Sequence, residues 1–210
     1  MADLEVLKAA IEAGDRSLAA AITRAGVDEG MDPRTVLEAM TTAMDVIGRR
    51  FQANEIYVPE MLISARAMKE AMAILEPVLT AAGLRPEHTA VIGTIAGDLH
   101  DIGKNLVAMM WKGANFAVVD LGTNVAAERF VSAAREHGAR IVGVSALLTT
   151  TMVGMKDVVT AIRAAGLGDV RVIVGGAPVT ADFAAAIGAD GYAPDAASAV
   201  AVARSVVGIA

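Results

Sequence analysis

Thr89-Ala90-Val91-Ile92-Gly93-Thr94-Ile95 runs through Ala96 into Gly97-Asp98-Leu99-His100-Asp101-Ile102-Gly103-Lys104-Asn105. The first part is apolar at nearly every position, as a parallel strand buried on both faces must be. The second part is a polar turn that opens a helical segment near Gly103–Lys112. A strand that ends in such a turn and feeds a helix is the first half of a βαβ unit. The alternation recurs downstream. Further strands are expected at Phe116–Asp120, Ile141–Ser145 and Val170–Val174, with a weaker fifth at Gly191–Ala193. Helices are expected at Ala126–Glu136, Met152–Ala165, Thr180–Ile187 and Ala196–Val207. Five units of this size predict an α/β fold of the flavodoxin-like, Rossmann-type kind, with a doubly wound, five-stranded parallel sheet. Ligands of these sheets sit at the carboxyl ends of the strands, where the loop 97–105 lies.

Upstream of Gly83-Leu84-Arg85-Pro86 the period is helical. Leu4, Leu7, Ala10 and Ile11 recur at three-to-four spacing until Gly14-Asp15. A second segment covers Arg16 to Ala25. Asp32-Pro33 supplies an N-cap with proline at the first helical position, and Val36, Met40, Met44, Ile47 and Phe51 follow on one face. A fourth helix starts near Tyr57, carries Met61, Ser64, Met68 and Leu75, and is expected to stop before Pro77. Four amphipathic helices with short links predict an antiparallel bundle. The expected domains are therefore 1–85, helical, and 86–210, α/β.

Composition narrows the function classes. Of 210 residues 55% are apolar, ample for two cores and too many for a disordered chain. The net charge is −6 and no Lys/Arg cluster appears, so nucleic acid is not an expected partner. The absence of cysteine excludes disulfides, thiolate metal sites and thiol nucleophiles. The acidic, amphipathic start is unlike a signal peptide, and no run reaches the roughly 18 apolar residues of a membrane span. A cytoplasmic protein without membrane association is expected.

His100 is the residue with chemistry to offer. A neutral imidazole suits a borderline transition metal such as cobalt. Its second ring nitrogen then needs an anchor, and Asp98 is the natural one. Gly103 lets a bulky ligand approach the backbone. A histidine in a polar loop is as a rule simply solvated; His100 differs by its place at the ligand edge of the sheet. His88, beside the linker, and His137, near a helix C-terminus, read as surface residues.

Asp98-x-His100-x-x-Gly103 resembles the signature of cobalamin-binding domains that bind the cofactor base-off and His-on. Ser145-x-Leu147 at the end of the third strand and Gly175-Gly176 at the end of the fourth complete that resemblance. It implies that His100 displaces the cofactor's benzimidazole and ligates cobalt from below. It further implies that Asp98 and Thr151 continue a hydrogen-bond relay, although the family often has serine where Thr151 stands. Asp101, Ile102, Gly103, Ser145, Leu147, Thr149, Gly175 and Gly176 would line the cofactor and its displaced tail. The stretch from Glu55 to Met68 is similar to the four-helix cap preceding the corrinoid domain in methionine synthase and its relatives. There Tyr57 would be a capping aromatic and Met61 a cofactor neighbour. For Met61 and Met68 bundle core is the preferred reading, because an unbranched thioether fills irregular gaps.

The size resembles the stand-alone corrinoid proteins of methanol, methylamine, betaine or O-demethylation systems. That implies a methyl carrier using cobalamin (methylcobalamin or the Co(I) corrinoid) between a substrate-specific methyltransferase and a methyl-acceptor methyltransferase, with a reductive activase as a further partner. The cap would swing aside about the linker Gly83–His88. The alternative is a cobalamin-dependent sensor, disfavoured by the lack of an output module. A mutase subunit is disfavoured by the helical half, and a corrin-free flavodoxin-like protein by the histidine motif. The methyl donor and acceptor are not legible in the chain.

Overall fold

The computed structural model describes residues 2–209, which form two compact units. One comprises the chain up to Pro86 together with Gly113–Asn115; the other comprises Glu87–Lys112 and the chain from Phe116 onward.

The first unit holds helices α1 (Leu4–Ala13), α2 (Arg16–Asp28), α3 (Pro33–Gln52) and α4 (Val58–Ala81). Three of them start on an aspartate. Asp3 accepts from the N–H groups of Glu5 and Val6, Asp15 from Leu18, and Asp32 from Arg34, with Pro33 next to it. Each such cap stabilises its helix by about 1 kcal/mol. The apolar stripes meet inside: Leu7, Ile11, Met40, Ile47, Met61 and Leu75 are all fully enclosed. Two boundaries differ from expectation. α2 continues to Asp28 rather than ending near Ala25, and its added turn contributes the buried Gly26. α4 passes through Pro77 to Ala81. Pro77 and Ala73 are both exposed, so the carbonyl that loses its partner faces water, while Leu79 extends the buried stripe.

The second unit is the expected parallel sheet. Its strands are β1 (Thr89–Thr94), β2 (Ala117–Asp120), β3 (Ile141–Ser145), β4 (Arg171–Gly175) and β5 (Gly191–Ala193), in the order β2-β1-β3-β4-β5. Helices α5 (Ile102–Gly113), α6 (Ala127–Glu136), α8 (Met155–Ala164), α9 (Ala181–Ala186) and α10 (Ala196–Val207) connect or follow them. The register places Thr94, Ser145, Gly175 and Ala193 in one row across the carboxyl ends of β1, β3, β4 and β5. Two pieces of sequence far apart, Ser145 and Gly175, thus become lateral neighbours.

The helix expected over Met152–Ala165 is broken in two. A single turn, α7 (Thr149–Met152), precedes α8, with Val153-Gly154 between them. Each starts anew: the Leu148 carbonyl accepts from the amides of Thr151 and Met152 and from the Thr151 hydroxyl, and the Gly154 carbonyl from the amides of Asp157 and Val158. In the segment 147–151 the N–H groups of Leu147 and Leu148 and the Thr151 hydroxyl turn toward the loop that follows β1.

Candidate functional site

Asp98 is fully buried at the carboxyl end of β1, although it is charged and lies in a loop. The surrounding hydrogen bonds account for it. One carboxylate oxygen, Oδ2, accepts from the backbone N–H of Leu147 (2.8 Å) and of Leu148 (3.2 Å) and from the Thr151 hydroxyl (2.8 Å). The other, Oδ1, accepts from the His100 backbone N–H (3.1 Å) and lies 2.7 Å from His100 Nδ1. Burial works to raise the pKa of this carboxyl, but the bonds from Leu147, His100 and Thr151 outweigh it and hold the group well below the usual carboxylate range.

The consequence falls on the imidazole. An ionised carboxylate only accepts, so His100 Nδ1 carries the proton and the lone pair of the neutral ring sits on Nε2. Nε2 has no protein partner among the described residues, and the side chain is 52% exposed. The His100 carbonyl is fixed as well, by the hydroxyl of Thr94, which is fully buried (2.9 Å). The ring is therefore anchored at one nitrogen and offers the other outward.

The segments around it in the chain expose apolar side chains together with the polar Asp101, Thr149 and Thr150. Leu99 and Ile102 flank the motif at 74% and 77% exposure, and Leu147, Leu148 and Val153 are exposed from the β3–α8 connection. Gly103 lies in the first turn of α5 with nothing within 4 Å of where a Cβ would stand, so the chain itself gives no packing reason for glycine there. Gly176 has one: at φ 125° its Cβ would collide with the Ala146 carbonyl. Asp101 is exposed and accepts from Asn105 Nδ2 at 2.9 Å, Thr149 is exposed at the start of α7, and Ser145 is half-buried in the row of strand ends.

Among the described residues no three His, Asp or Glu side chains converge as a metal-chelating set. A lone imidazole holds a transition metal firmly only when a macrocycle fills the other positions. Exposed Leu99, Ile102, Leu147, Leu148 and Val153, and open room at Gly103, fit a large, flat macrocycle with apolar faces. The residues present therefore fit a corrin.

A family model described as a B12 binding domain matches residues 88–201, and a second with the same description matches 3–76. A corrinoid protein of Desulfitobacterium hafniense is 40% identical, with 99% of each chain covered. The chain belongs to the B12-binding corrinoid proteins. Other members of the family include the trimethylamine corrinoid protein 1 of Methanosarcina acetivorans, 39% identical over 95% of this chain and 94% of that one. The fold of this corrinoid protein matches a crystal structure of a cobalamin-binding protein from Desulfitobacterium hafniense (TM-score 0.83, 29% identity, 99% and 100% covered). It likewise matches one chain of the crystal structure of the methanol:cobalamin methyltransferase complex of Methanosarcina barkeri (TM-score 0.86, 28% identity, 98% of this chain and 79% of that one covered). The cofactor it binds is a corrinoid.

Of the residues singled out from sequence, the structure brings Asp98, His100, Leu147 and Thr151 into one hydrogen-bonded group and sets Ser145 beside Gly175. Tyr57 and Met61 belong to the helical unit. Tyr57 is exposed and caps α4, its N–H donating to Glu60 (3.1 Å); Met61 is fully enclosed, as core packing has it. His137 is an exposed helix cap, whereas His88 is half-buried beside Phe116 rather than on the surface. Sequence reasoning missed Thr94, Leu99, Leu148 and Val153. Leu148 acts through its backbone, which no side-chain pattern reveals. No helix among the described residues is long and apolar enough to cross a membrane.

Proposed function

We propose that this corrinoid protein binds cobalamin base-off and His-on, with His100 Nε2 as the lower axial ligand, and serves as a methyl carrier. The observation that carries the reading is the saturated Asp98, which fixes the His100 tautomer and leaves Nε2 free. When bound, the cofactor supplies a cobalt that takes up a methyl group as Co(I) and releases it from a methylated Co(III) state. His100 would hold that cobalt through Nε2, with Asp98 keeping the ring in place from Nδ1. Asp98 accepts five hydrogen bonds already and stays ionised, so it would keep the Nδ1 proton in place and Nε2 turned to the ligand. Gly103, Ser145, Thr149, Gly175 and Gly176 line the path of the displaced nucleotide tail, beside Asp101 and Ile102. Residues 86–210 form the cofactor domain and 1–85 a cap that bears Tyr57.

Among the described residues no three His, Asp or Glu side chains converge to hold a metal that could activate a methyl donor or acceptor. Relatives named for trimethylamine and dimethylamine, and the methanol methyltransferase complex, point to small methylated compounds as donors. A donor methyltransferase loads the cobalt, an acceptor methyltransferase unloads it, and a reductive activase restores Co(I) after oxidation. Replacing His100 with Gly tests the ligand. Cobalamin retention should weaken by about 10- to 100-fold, with a changed absorption spectrum. Unchanged retention and spectrum would overturn the reading.

A further inference from the structure

The carboxylate of Asp98 is held from one side by the segment 147–151, yet its backbone leaves a glycine, Gly97, in the left-handed region (φ 82°). Glycine permits pivoting there, and a pivot at 97 would swing Asp98 and with it the imidazole. The β2–α6 loop prevents this. Asn124 Oδ1 accepts from the Gly97 N–H (2.8 Å), and the Asn124 N–H donates to the Asp98 carbonyl (3.0 Å). The two bonds grip the turn on both sides of the Gly97–Asp98 peptide.

Asn124 is suited to this in two ways. Its own φ is 56°, a left-handed conformation that asparagine adopts more readily than most side chains. Its amide oxygen supplies the acceptor that a backbone donor demands. The loop beneath it is pinned: Val125 donates to the Thr94 carbonyl (2.9 Å), Thr94 to the Gly122 carbonyl (2.9 Å), and Ile95 bridges Val125 as an extra parallel rung. The side chain is exposed, so core packing gives no reason for it.

We propose that Asn124 is a positioning residue for the cobalt ligand: its clasp on Gly97–Asp98 fixes where the Asp98 carboxylate stands and hence where His100 Nε2 points. This rests on the reading of His100 as the axial ligand. Asn124 acts through Asp98 and touches no reacting atom.

Asn124→Gly keeps the left-handed backbone and the N–H donor and deletes only the acceptor; Asn124→Asp restores an acceptor. The full chain and both variants are compared in two ways. Hydrogen–deuterium exchange of the cofactor-free proteins reads the Leu147 and Leu148 amides, which bond Asp98 and not Asn124. After reconstitution with cobalamin and reduction to Co(II), nitrogen hyperfine splitting reads the ratio of His-ligated to unligated cobalt. In Asn124→Gly those amides exchange about 10-fold faster and the ratio falls about 10-fold, while Tm moves by no more than about 2 °C. Asn124→Asp returns both toward the parent protein. Unchanged exchange and ratio in Asn124→Gly would overturn the proposal. So would a large drop in Tm with every amide of the unit accelerated alike, or an Asp variant as impaired as the Gly one. An unaltered protein that itself shows no histidine ligation overturns the underlying reading instead, and the proposal with it.

Discussion

Met61 and Ile102 are apolar side chains of similar size in opposite surroundings. Met61 is fully enclosed within the helical unit; Ile102 is 77% exposed at the first turn of α5. In the helical unit Leu7, Ile11, Met40, Ile47, Met61 and Leu75 are consumed by packing, each stabilising the fold by about 1.5–3 kcal/mol, while Val6, Leu18, Tyr57, Val58 and Ile63 stay exposed. At the carboxyl rim of the sheet, Leu99, Ile102, Leu147, Leu148 and Val153 contribute little of that kind. They surround an imidazole that the fold has oriented with care. On the proposed reading of His100 as the cobalt ligand, apolar surface that folding does not use beside it is surface for the cofactor.

Substitutions in the two places should therefore have opposite signatures. The largest effect on stability is expected from Met61→Ala, about 3 kcal/mol lost in chemical denaturation. A loss below about 1 kcal/mol would show that the methionine is not packed as the bundle requires and would break the contrast. Leu99→Ser combined with Ile102→Ser should leave stability within about 0.5 kcal/mol, yet weaken cobalamin binding about 10-fold, or some 1.4 kcal/mol. Equilibrium titration with cobalamin decides it; unaffected binding would mean these side chains serve something else. The smallest effect is the most pointed. Gly103→Ala should raise stability by about 0.5–1 kcal/mol through helix propensity while weakening cobalamin binding, if the open space at that position receives the cofactor as proposed. A variant both more stable and equally tight in binding would show that the space is idle.

The same contrast explains what was legible in the sequence. The five strands, including the three-residue β5 at Gly191–Ala193, follow from apolar runs between helical segments, and their order from the doubly wound pattern. The Asp98–His100 pair is legible because its two members lie two residues apart in one turn. Thr151 could be placed only through the family resemblance, since its partner lies 53 positions away. The turn α7 was hidden, because it follows backbone donors of Leu147 and Leu148 that turn toward a carboxylate in the loop after β1. Pro77 misled for a related reason: helix rules count the lost hydrogen bond, whereas tertiary packing of Leu79 decides whether the helix continues. The grip of Asn124 on Gly97–Asp98 has no sequence signature at all.

The most direct test reads the cobalt's lower nitrogen itself. The protein is produced with 15N-labelled histidine, reconstituted with unlabelled cobalamin and reduced to Co(II). An axial 14N splits each cobalt line of the electron paramagnetic resonance spectrum in three, and an axial 15N splits it in two. Ligation by His100 predicts two-fold splitting that disappears in His100→Gly. Three-fold splitting, the mark of the cofactor's own benzimidazole still bound, would contradict it.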